Sequence, residues 1–244
     1  MASKKQSGGL STARIEAFSD GVFAIAITLL VFNLHVPTVS DQAALQHELA
    51  KQWLSYLSYL LSVVVIGVYW VAHHGLFTFI QRADRPLFWL NILFIACVAF
   101  LPFPTALLGQ YGHSRLAVVI YGLSLVVTGL VLDSMRAYAT RGRRLVHHDL
   151  PDEVVRSGRR RNLRGPAIYA LAIGIALLPF SVGPVDGPAC ALALYIVVPL
   201  TYILPGRIDR YWASRHDSTD HHNAPHPAAP SQQAAHEEAE RTSL

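Results

Sequence analysis

Five polar residues fall inside stretches of the chain that are otherwise apolar. Ser19 and Asp20 lie in the first long apolar stretch, His73 and His74 near the end of the second, and Asn91 near the start of the third. Side chains of these types can form hydrogen-bonded clusters, exchange protons or hold ions. Adjacent residues of a helix point about 100° apart, so His73 and His74 are poor joint ligands for one metal ion. The pattern favours a polar cluster and predicts neither a metal nor a cofactor.

The composition indicates the surroundings of these residues. The chain has 244 residues, of which 52% are hydrophobic and 15% charged, and its mean hydropathy is +0.33. Soluble domains carry about 25% charged residues. The apolar residues come in runs of about 20, the length that a helix needs to cross a bilayer. Lipid cannot satisfy free backbone groups, so each run must be helical. The sequence therefore predicts an all-α, polytopic membrane protein.

Six apolar runs predict six transmembrane helices. Their approximate bounds are 15–35, 53–75, 87–108, 115–137, 164–182 and 187–205. Glycine and proline between the last two runs predict a tight turn, so these helices form a hairpin. The six helices make up one domain, 15–210, between an N-terminal segment, 1–14, and a C-terminal tail, 211–244. The tail is rich in His, Ala, Pro and Glu and lacks apolar periodicity, which predicts disorder.

Positive charge determines the predicted orientation. With these bounds, all of the 20 Lys and Arg residues except Lys51 and Arg115 fall on one side: in the N-terminal segment, in the second and fourth loops and the span ends that border them, and after the last span. Positively charged segments mark the cytoplasmic face, so both termini are predicted in the cytoplasm, which agrees with an even number of spans. Attraction to anionic lipid explains the basic loop 141–164. No nucleic-acid partner is expected.

No catalytic motif accompanies this pattern. The chain lacks a Gly-rich phosphate loop, a His-Glu-x-x-His zinc motif and a nucleophile elbow. The cysteines, Cys97 and Cys190, lie inside apolar runs and are expected to be buried small hydrophobes. The sequence therefore predicts no catalytic residue and no enzymatic activity.

Asp20 is the residue that most needs a partner, because a charge at the bilayer centre costs roughly 2.5–3.5 kcal/mol. In the predicted orientation, Asp20, His73, His74 and Asn91 all lie in the cytoplasmic halves of their helices. We predict a hydrogen-bonded cluster of Ser19 and Asp20 with His73 or His74 and with Asn91. The alternative is that the histidines lie at the level of the lipid headgroups and join no cluster.

The first span also carries an apolar stripe on a different side from its polar pair. The stripe consists of Ile25, Thr28, Leu29 and Phe32. At about 100° per residue, the four side chains point within about 60° of their common mean direction. The polar pair, Ser19 and Asp20, points to other sides of the helix. Periodicity alone makes such a stripe core or lipid contact in most helices. The first span thus separates an apolar stripe from a polar anchor.

A longer motif surrounds the polar pair. It reads Arg14-x-x-x-Phe18-Ser19-Asp20 and continues through residues 21–30. It resembles the signature of the transmembrane protein 175 family, the endolysosomal potassium channels and their prokaryotic relatives. Further segments that resemble family features are Trp70-x-x-His73-His74, Leu90-Asn91-Ile92-Leu93-Phe94 and Leu101-Pro102-Phe103-Pro104-Thr105. The likeness is strong over about the first half of the chain and rests on helix count in the second half.

The resemblance implies a channel without the Thr-Val-Gly-Tyr-Gly filter of other potassium channels. Animal members carry two six-helix repeats and dimerise, so a single repeat implies a homotetramer, here in the cell membrane. Its partners are the lipid bilayer and monovalent cations, with potassium as the permeant ion. Four copies of the first helix then line the pore.

The family's functional positions match the stripe. Ile25 matches the narrow apolar constriction, Leu29 the next apolar ring, and Thr28 a hydroxyl position implicated in potassium preference. Phe32 falls where relatives often have leucine, which departs from the family pattern. The family motif and its polar partners comprise Arg14, Phe18, Ser19, Asp20, Trp70, His73, His74 and Asn91.

An Ile25 ring offers no ligands for an ion, so it is expected to gate by dewetting and to give modest selectivity. Three alternatives stay open. One is a proton-conducting channel of the same architecture, with His73 and His74 as titrating groups. Another is a small secondary transporter, although such transporters have helices broken near mid-membrane and Pro102 and Pro104 lie near one end. The third is a metal-dependent membrane enzyme built on the polar cluster.

Overall fold

The computed structural model describes residues 11–39, 41–146, 152–179, 181–182 and 185–203. The predicted N-terminal segment is described only from residue 11, and the predicted tail, 211–244, lies outside the described residues. The helices are α1 (Thr12–Leu29), α2 (Gln42–Lys51), α3 (Trp53–Phe77), α4 (Arg85–Phe100), α5 (Pro102–Tyr111), α6 (Arg115–Thr140), α7 (Asp152–Leu177) and α8 (Gly187–Ile203). Short 3₁₀ turns at Leu30–Asn33 and Arg141–Arg143 follow α1 and α6. Between α7 and α8, β1 (Ser181–Val182) pairs antiparallel with β2 (Val185–Asp186).

Four stretches of helix in the described part of the chain are long and apolar enough to cross a bilayer. They are Thr12–Asn33, Trp53–Phe77, Arg85–Tyr111 and Arg115–Arg143. Shorter apolar helices occupy Leu163–Leu177 and Gly187–Tyr202, and both fall below the length of about 20 residues that a bilayer core requires. A helical protein with several membrane-crossing stretches is therefore confirmed, while six spans and a single repeat stay predictions.

The third predicted span is two helices, because prolines interrupt it. Pro102 and Pro104 supply no amide hydrogen and cannot continue the α-helical ladder of hydrogen bonds. At the break, the amide of Leu101 donates to the carbonyl of Val98 at 3.1 Å, a 3₁₀ contact. Helices α4 and α5 therefore follow one another within one apolar stretch, Arg85–Tyr111.

Helical structure also forms in two segments for which the sequence gave no helix. The short α2 lies between the first two spans, and its N-terminus is capped by Asp41, whose carboxylate accepts the amide of Ala44 at 2.8 Å. Helix α7 begins at Asp152, within the basic loop and ahead of the predicted span. Neither segment contains a long unbroken apolar run, so hydrophobic runs gave no signal there.

The core is densest around α6, which contacts α4, α5, α7 and α8. Large side chains that are fully buried include Tyr121 and Tyr195. Two glycines of α6 allow its neighbours to approach closely. A Cβ atom at Gly129 would lie 2.7 Å from Cγ of Pro166 in α7, and one at Gly122 would overlap the hydroxyl of Tyr195 in α8. Small residues at helix contacts are typical of packing in membranes, where backbones must come close to gain contact.

Candidate functional site

Helix α1 has one buried and one open face. Its buried residues recur every three or four positions and face α3 and α4. They are Ile15, Ser19, Phe23 and Ala26, and Leu30 of the following 3₁₀ turn continues them. The opposite side of the helix is exposed over its whole length. The described chain therefore holds α1 from one side only.

The stripe lies on the open face. Ile25 is 59% exposed and Phe32 is 77% exposed, and Leu29 and Thr28 are exposed as well. Thr28 is the polar member, and its hydroxyl donates to the carbonyl of Ile25 at 2.8 Å. The structure thus places the four predicted residues together on a surface that the described chain does not cover. Such a surface in a membrane faces lipid, another copy of the chain, or water.

A buried chain of hydrogen bonds holds the other face of α1. The side-chain amide of Asn91 in α4 donates to the hydroxyl of Ser19 at 2.9 Å, and the Ser19 hydroxyl donates to the carbonyl of Ile15 at 2.8 Å. Since the amide nitrogen of Asn91 is used, its oxygen faces Nε2 of His73 in α3 at 2.8 Å. This polar chain, Ser19–Asn91–His73, is fully buried and joins three helices.

The direction of each bond in the polar chain fixes the state of His73. The Asn91 oxygen can only accept, so Nε2 of His73 must carry the hydrogen. The ring of His73 stacks on Phe94 at 5.4 Å and contacts Phe77 at 4.6 Å and Phe23 at 5.8 Å between centroids. Its Nδ1 atom is buried without a hydrogen-bond partner among the described residues. The hydrogen bond and the three rings together fix the position and tautomer of this imidazole.

Asp20 differs from its predicted role. Its carboxylate accepts the indole N–H of Trp70 at 2.8 Å and does not join the polar chain. Likewise, Nδ1 of His74 lies 2.7 Å from a carboxylate oxygen of Glu16, and His74 stacks on Trp70 with centroids 5.8 Å apart. Consecutive helix positions point about 100° apart, so Ser19 and His73 turn inward while Asp20 and His74 turn to the partly exposed edge.

These two contacts, which we call the flanking pairs, consist of Asp20 with Trp70 and Glu16 with His74. Glu16 and Asp20 are four residues apart on α1, and Trp70 and His74 are four residues apart on α3. Positions four residues apart share one face of a helix. Sequence reasoning missed Glu16. The signal that could have indicated it is the shared spacing of four residues: Glu16 precedes Asp20 by one helical turn, as Trp70 precedes His74.

Arg14 and Phe18 of the motif lie on the open face. Phe18 is 56% exposed, and Arg14 is exposed. The resemblance implies that these residues pack α1 against its neighbours. Within the described chain they lack that packing, so any such contact must come from outside it.

The C-terminal end of the first membrane-crossing stretch has a hydrogen bond to α5 that the sequence did not suggest. Asn33, in the 3₁₀ turn that follows α1, donates from its side-chain amide to the carbonyl of Pro102 at 3.1 Å. Pro102 begins α5 at the break in the third span. Close by, the hydroxyl of Ser62 lies 2.7 Å from that of Thr105 and 3.0 Å from that of Tyr121, which joins α3, α5 and α6. The first membrane-crossing stretch is therefore joined to α4 at Ser19 and to α5 at Asn33.

The described residues contain no group of three or more His, Cys, Asp and Glu side chains placed to hold a metal ion. His73 has one nitrogen committed to Asn91 and the other enclosed by aromatic rings. His74 points to the edge. The arrangement is therefore suited to holding helices in position.

A one-sided membrane helix, anchored by buried polar groups in a bundle of apolar helices, defines a polytopic membrane protein whose first helix leaves one face uncovered by the described chain. A solved structure of a lysosomal potassium-selective channel TMEM175 homologue from Chamaesiphon minutus matches it with a TM-score of 0.68 and 32% identity, over 79% of this chain and 96% of that one. A potassium channel of Streptomyces collinus is 39% identical over 171 residues, which cover 68% of this chain and 83% of the relative. The profile of the family described as endosomal/lysosomal potassium channel TMEM175 matches residues 14–102. The chain belongs to the TMEM175 family.

The animal relatives carry a different name. The bovine endosomal/lysosomal proton channel TMEM175 is 42% identical over 101 residues, which cover 38% of this chain and 21% of the bovine protein. The family and its bacterial relatives are named as ion channels, and the resemblance stated from the motif is confirmed.

Proposed function

We propose that this protein is a potassium-preferring cation channel that assembles as a homotetramer, with α1 of each copy lining the pore. The observation that carries the proposal is the uncovered stripe on a helix whose opposite face is fastened to its own chain. Four-fold symmetry would turn each stripe residue into a closed ring. The Streptomyces relative is named a potassium channel and the Chamaesiphon structure a potassium-selective channel, which supports potassium as the permeant ion.

The constriction in this proposal is apolar. Rings of Ile25 and Leu29 offer no oxygen ligands that replace an ion's hydration shell, so a narrow ring closes the pore by dewetting. Conduction requires the rings to widen until a hydrated or partly hydrated cation passes. Phe32, at the outer end of the stripe, adds a third and bulkier ring.

Thr28 supplies the polar contact of the proposed pore. It lies between the Ile25 and Phe32 levels on the same open face, and its hydroxyl oxygen is the polar side-chain atom of the stripe. In the tetramer this oxygen contacts the ion or its water. A single hydroxyl ring gives a modest preference for potassium over sodium, because most of the hydration shell is retained.

The polar chain sets the rotation of α1 in this scheme. A rotation of one residue, about 100°, would replace the stripe by other side chains. Ser19, Asn91 and His73 prevent such a rotation, because turning α1 would leave their buried polar atoms without partners. The flanking pairs reinforce the same orientation at the edge.

In the proposed topology the chain crosses the cell membrane six times as a single repeat, and both termini lie on the cytoplasmic side. The charge distribution supports it, since only Lys51 and Arg115 among the 20 Lys and Arg residues lie on the other side. The apolar parts of α7 and α8 are then the fifth and sixth spans. Their shortness is accommodated by local thinning of the bilayer.

The direct test is current across a planar bilayer that holds the purified protein, with potassium on one side and sodium on the other. The reversal potential is expected to shift toward that of potassium. Ile25→Asn places an amide at the constriction, so we expect it to raise the resting leak several-fold. Thr28→Ala is expected to reduce the shift of the reversal potential.

Val31→Asn is the matched control for the constriction. Val31 is 48% exposed in the 3₁₀ turn that follows α1, and it points about 120° away from Ile25. It receives the same new side chain and is expected to leave the leak unchanged. Equal currents from Ile25→Asn and the native protein would refute the constriction. No current from a correctly folded tetramer under any gradient would favour the transporter.

Proton conduction is the second candidate, and the name of the bovine relative favours it. The same bilayer distinguishes the two ions. With a pH gradient and no potassium, a reversal potential that follows the pH gradient indicates a proton channel. A potential that follows potassium at constant pH indicates the first candidate.

A further inference from the structure

A concentrated positive surface forms where two loops of the described structure meet. One loop, residues 80–85, lies after α3 and ends at the first residue of α4, and the other, residues 141–146, follows α6. The amide of Gln81 donates to the carbonyl of Leu145 at 2.8 Å, and Ile80 forms an antiparallel bridge with Val146. The two loops together contain five arginines and a single acidic residue, Asp84. The arginines, which we call the arginine surface, are Arg82, Arg85, Arg141, Arg143 and Arg144.

The carboxylate of Asp84 is turned toward the protein. One oxygen accepts the amide of Leu87 at 3.1 Å and caps α4. The other accepts the hydroxyl of Tyr138 at 2.6 Å, and Nη2 of Arg144 lies 4.0 Å from it. Asp84 therefore links the two loops and is already used by these partners.

Three of the arginines extend away from this link. Arg82, Arg85 and Arg141 are exposed. Each belongs to one of the two loops that the backbone hydrogen bond between Gln81 and Leu145 joins. A guanidinium group presents a planar fork of N–H donors that fits two oxygens of a phosphate group at once. Several such forks on a fixed backbone form a surface that suits phosphate-containing anions.

Trp89 sets the depth of this surface in the membrane. It lies one turn along α4 from Arg85, on the same side of the helix and about 6 Å further into the apolar stretch. Its side chain is 66% exposed. Exposed tryptophans favour the boundary between headgroups and acyl chains, so Arg85 and its neighbours lie at the level of the headgroups.

We infer that the arginine surface binds the phosphate groups of anionic lipids, with Arg82, Arg85 and Arg141 as the contacting side chains. The lipid is favoured over a soluble phosphate because Trp89 places the guanidinium groups beside the bilayer. The inference depends on the membrane-crossing helices and is independent of the ion that the protein conducts. It assigns to loops remote from the stripe a role in holding the ends of α3, α4 and α6 against the membrane.

The test counts lipids that stay with the protein. The full chain is reconstituted in vesicles of phosphatidylglycerol and phosphatidylcholine, extracted gently, and examined by native mass spectrometry. The native protein is expected to retain phosphatidylglycerol over phosphatidylcholine, and raised salt should weaken this preference. Arg85→Gln is expected to lower the affinity for phosphatidylglycerol roughly fivefold, and the triple change at Arg82, Arg85 and Arg141 by more than tenfold.

Arg115→Gln is the matched control. Arg115 is also exposed, but it begins α6, and Arg141 follows the other end of the same helix. Its replacement removes the same charge from the opposite side of the membrane and should leave the lipid count unchanged. The melting temperature and helix content of each variant establish that it is folded. If the triple variant does not fold, Arg85→Gln alone is compared with Arg115→Gln.

Three outcomes would overturn the inference. In the first, the native protein retains both lipids equally. In the second, phosphatidylglycerol stays bound when the folded triple variant, or failing that Arg85→Gln, is tested. In the third, inorganic phosphate displaces the lipid while chloride at the same ionic strength does not, which would assign the arginines to a soluble phosphate.

Discussion

Two membrane-crossing stretches of this chain differ in how far the rest of the protein covers them. In the most apolar window of Arg115–Arg143, 56% of the residues are buried, but in that of Thr12–Asn33 only 28% are. Helix α6 contacts neighbours on several sides, whereas α1 is held along one face by α3 and α4. The chain thus uses α6 to build the bundle and leaves one face of α1 available. The available face belongs to the helix that carries the family motif.

The largest difference in stability between the two helices is expected when a glycine in each is replaced by alanine. Gly122→Ala in α6 brings a Cβ atom against the hydroxyl of Tyr195, which is held by its bond to the carbonyl of Val118 at 3.1 Å. Overpacking of this kind costs about 1–3 kcal/mol, so the melting temperature in detergent should fall. Gly21→Ala in α1 meets nothing within 4 Å. It should leave the melting temperature unchanged or slightly higher, because alanine is the better helix former.

A fall in melting temperature that is equal for Gly122→Ala and Gly21→Ala would contradict the difference between α6 and α1. It would mean that the open face of α1 is as tightly packed in the assembled protein as α6 is in the single chain.

A second, somewhat smaller effect is expected from the two asparagines that fasten α1. Asn91→Leu removes the acceptor of the buried His73 N–H, whereas the Ser19 hydroxyl keeps its own bond to the carbonyl of Ile15. Leaving one buried polar group unpaired costs about 1–3 kcal/mol. Contacts within membranes lie at the lower end of this range. Asn33→Leu removes only the bond to Pro102 from a half-buried side chain. Melting temperatures should therefore fall more for Asn91→Leu, and the reverse order would place the main anchor of α1 at Asn33.

The smallest effect is expected at the flanking pairs. Trp70→Phe keeps the stacking with His74 and loses the N–H that binds Asp20. Because the site is partly exposed, water can replace the lost bond, and the loss should be below about 1 kcal/mol. Trp89→Phe, at an exposed position of α4, is the control for changing a tryptophan. A destabilisation by Trp70→Phe as large as that of Asn91→Leu would show that the edge contacts anchor α1 as strongly as the buried chain does.

Much of the fold could be predicted because the bilayer imposes simple rules. Long apolar runs located the four membrane-crossing stretches, and the motif around Ser19 and Asp20 indicated the family. Depth along each helix placed Ser19, His73 and Asn91 at one level, where the structure joins them by hydrogen bonds. The separation of the stripe from the polar residues followed from the helical period alone.

The partners of individual side chains could not be predicted in the same way. Asp20 and His74 lie at the same depth as the polar chain, but each is turned by about 100° from its neighbour in the chain. The direction that each faces depends on how α1, α3 and α4 rotate against one another, which the packing of Phe23 and Phe94 around His73 decides. The depth of a residue in the membrane therefore follows from its position in the sequence, whereas the rotation of its helix about the helix axis depends on packing in the bundle.

The segments without apolar runs were missed for a different reason. Helix α2 depends on the cap at Asp41 and on residues that favour helices, and the start of α7 lies in the basic loop. Helix α2 has no buried residue, so a periodic apolar pattern could not reveal it. The tie between Asn33 and Pro102 joins residues far apart in the chain and arises only where the broken helix places its carbonyl.

The hydroxyl group of Thr28 donates its only hydrogen to the carbonyl of Ile25, one turn earlier in the same helix. The oxygen that remains toward the open face can accept hydrogen bonds or coordinate a positive ion, but it has no hydrogen left to donate. In the proposed tetramer, four such oxygens form an electronegative collar without any carboxylate. An anion at that level would meet lone pairs on every side, so the pore would distinguish the sign of the charge with uncharged residues.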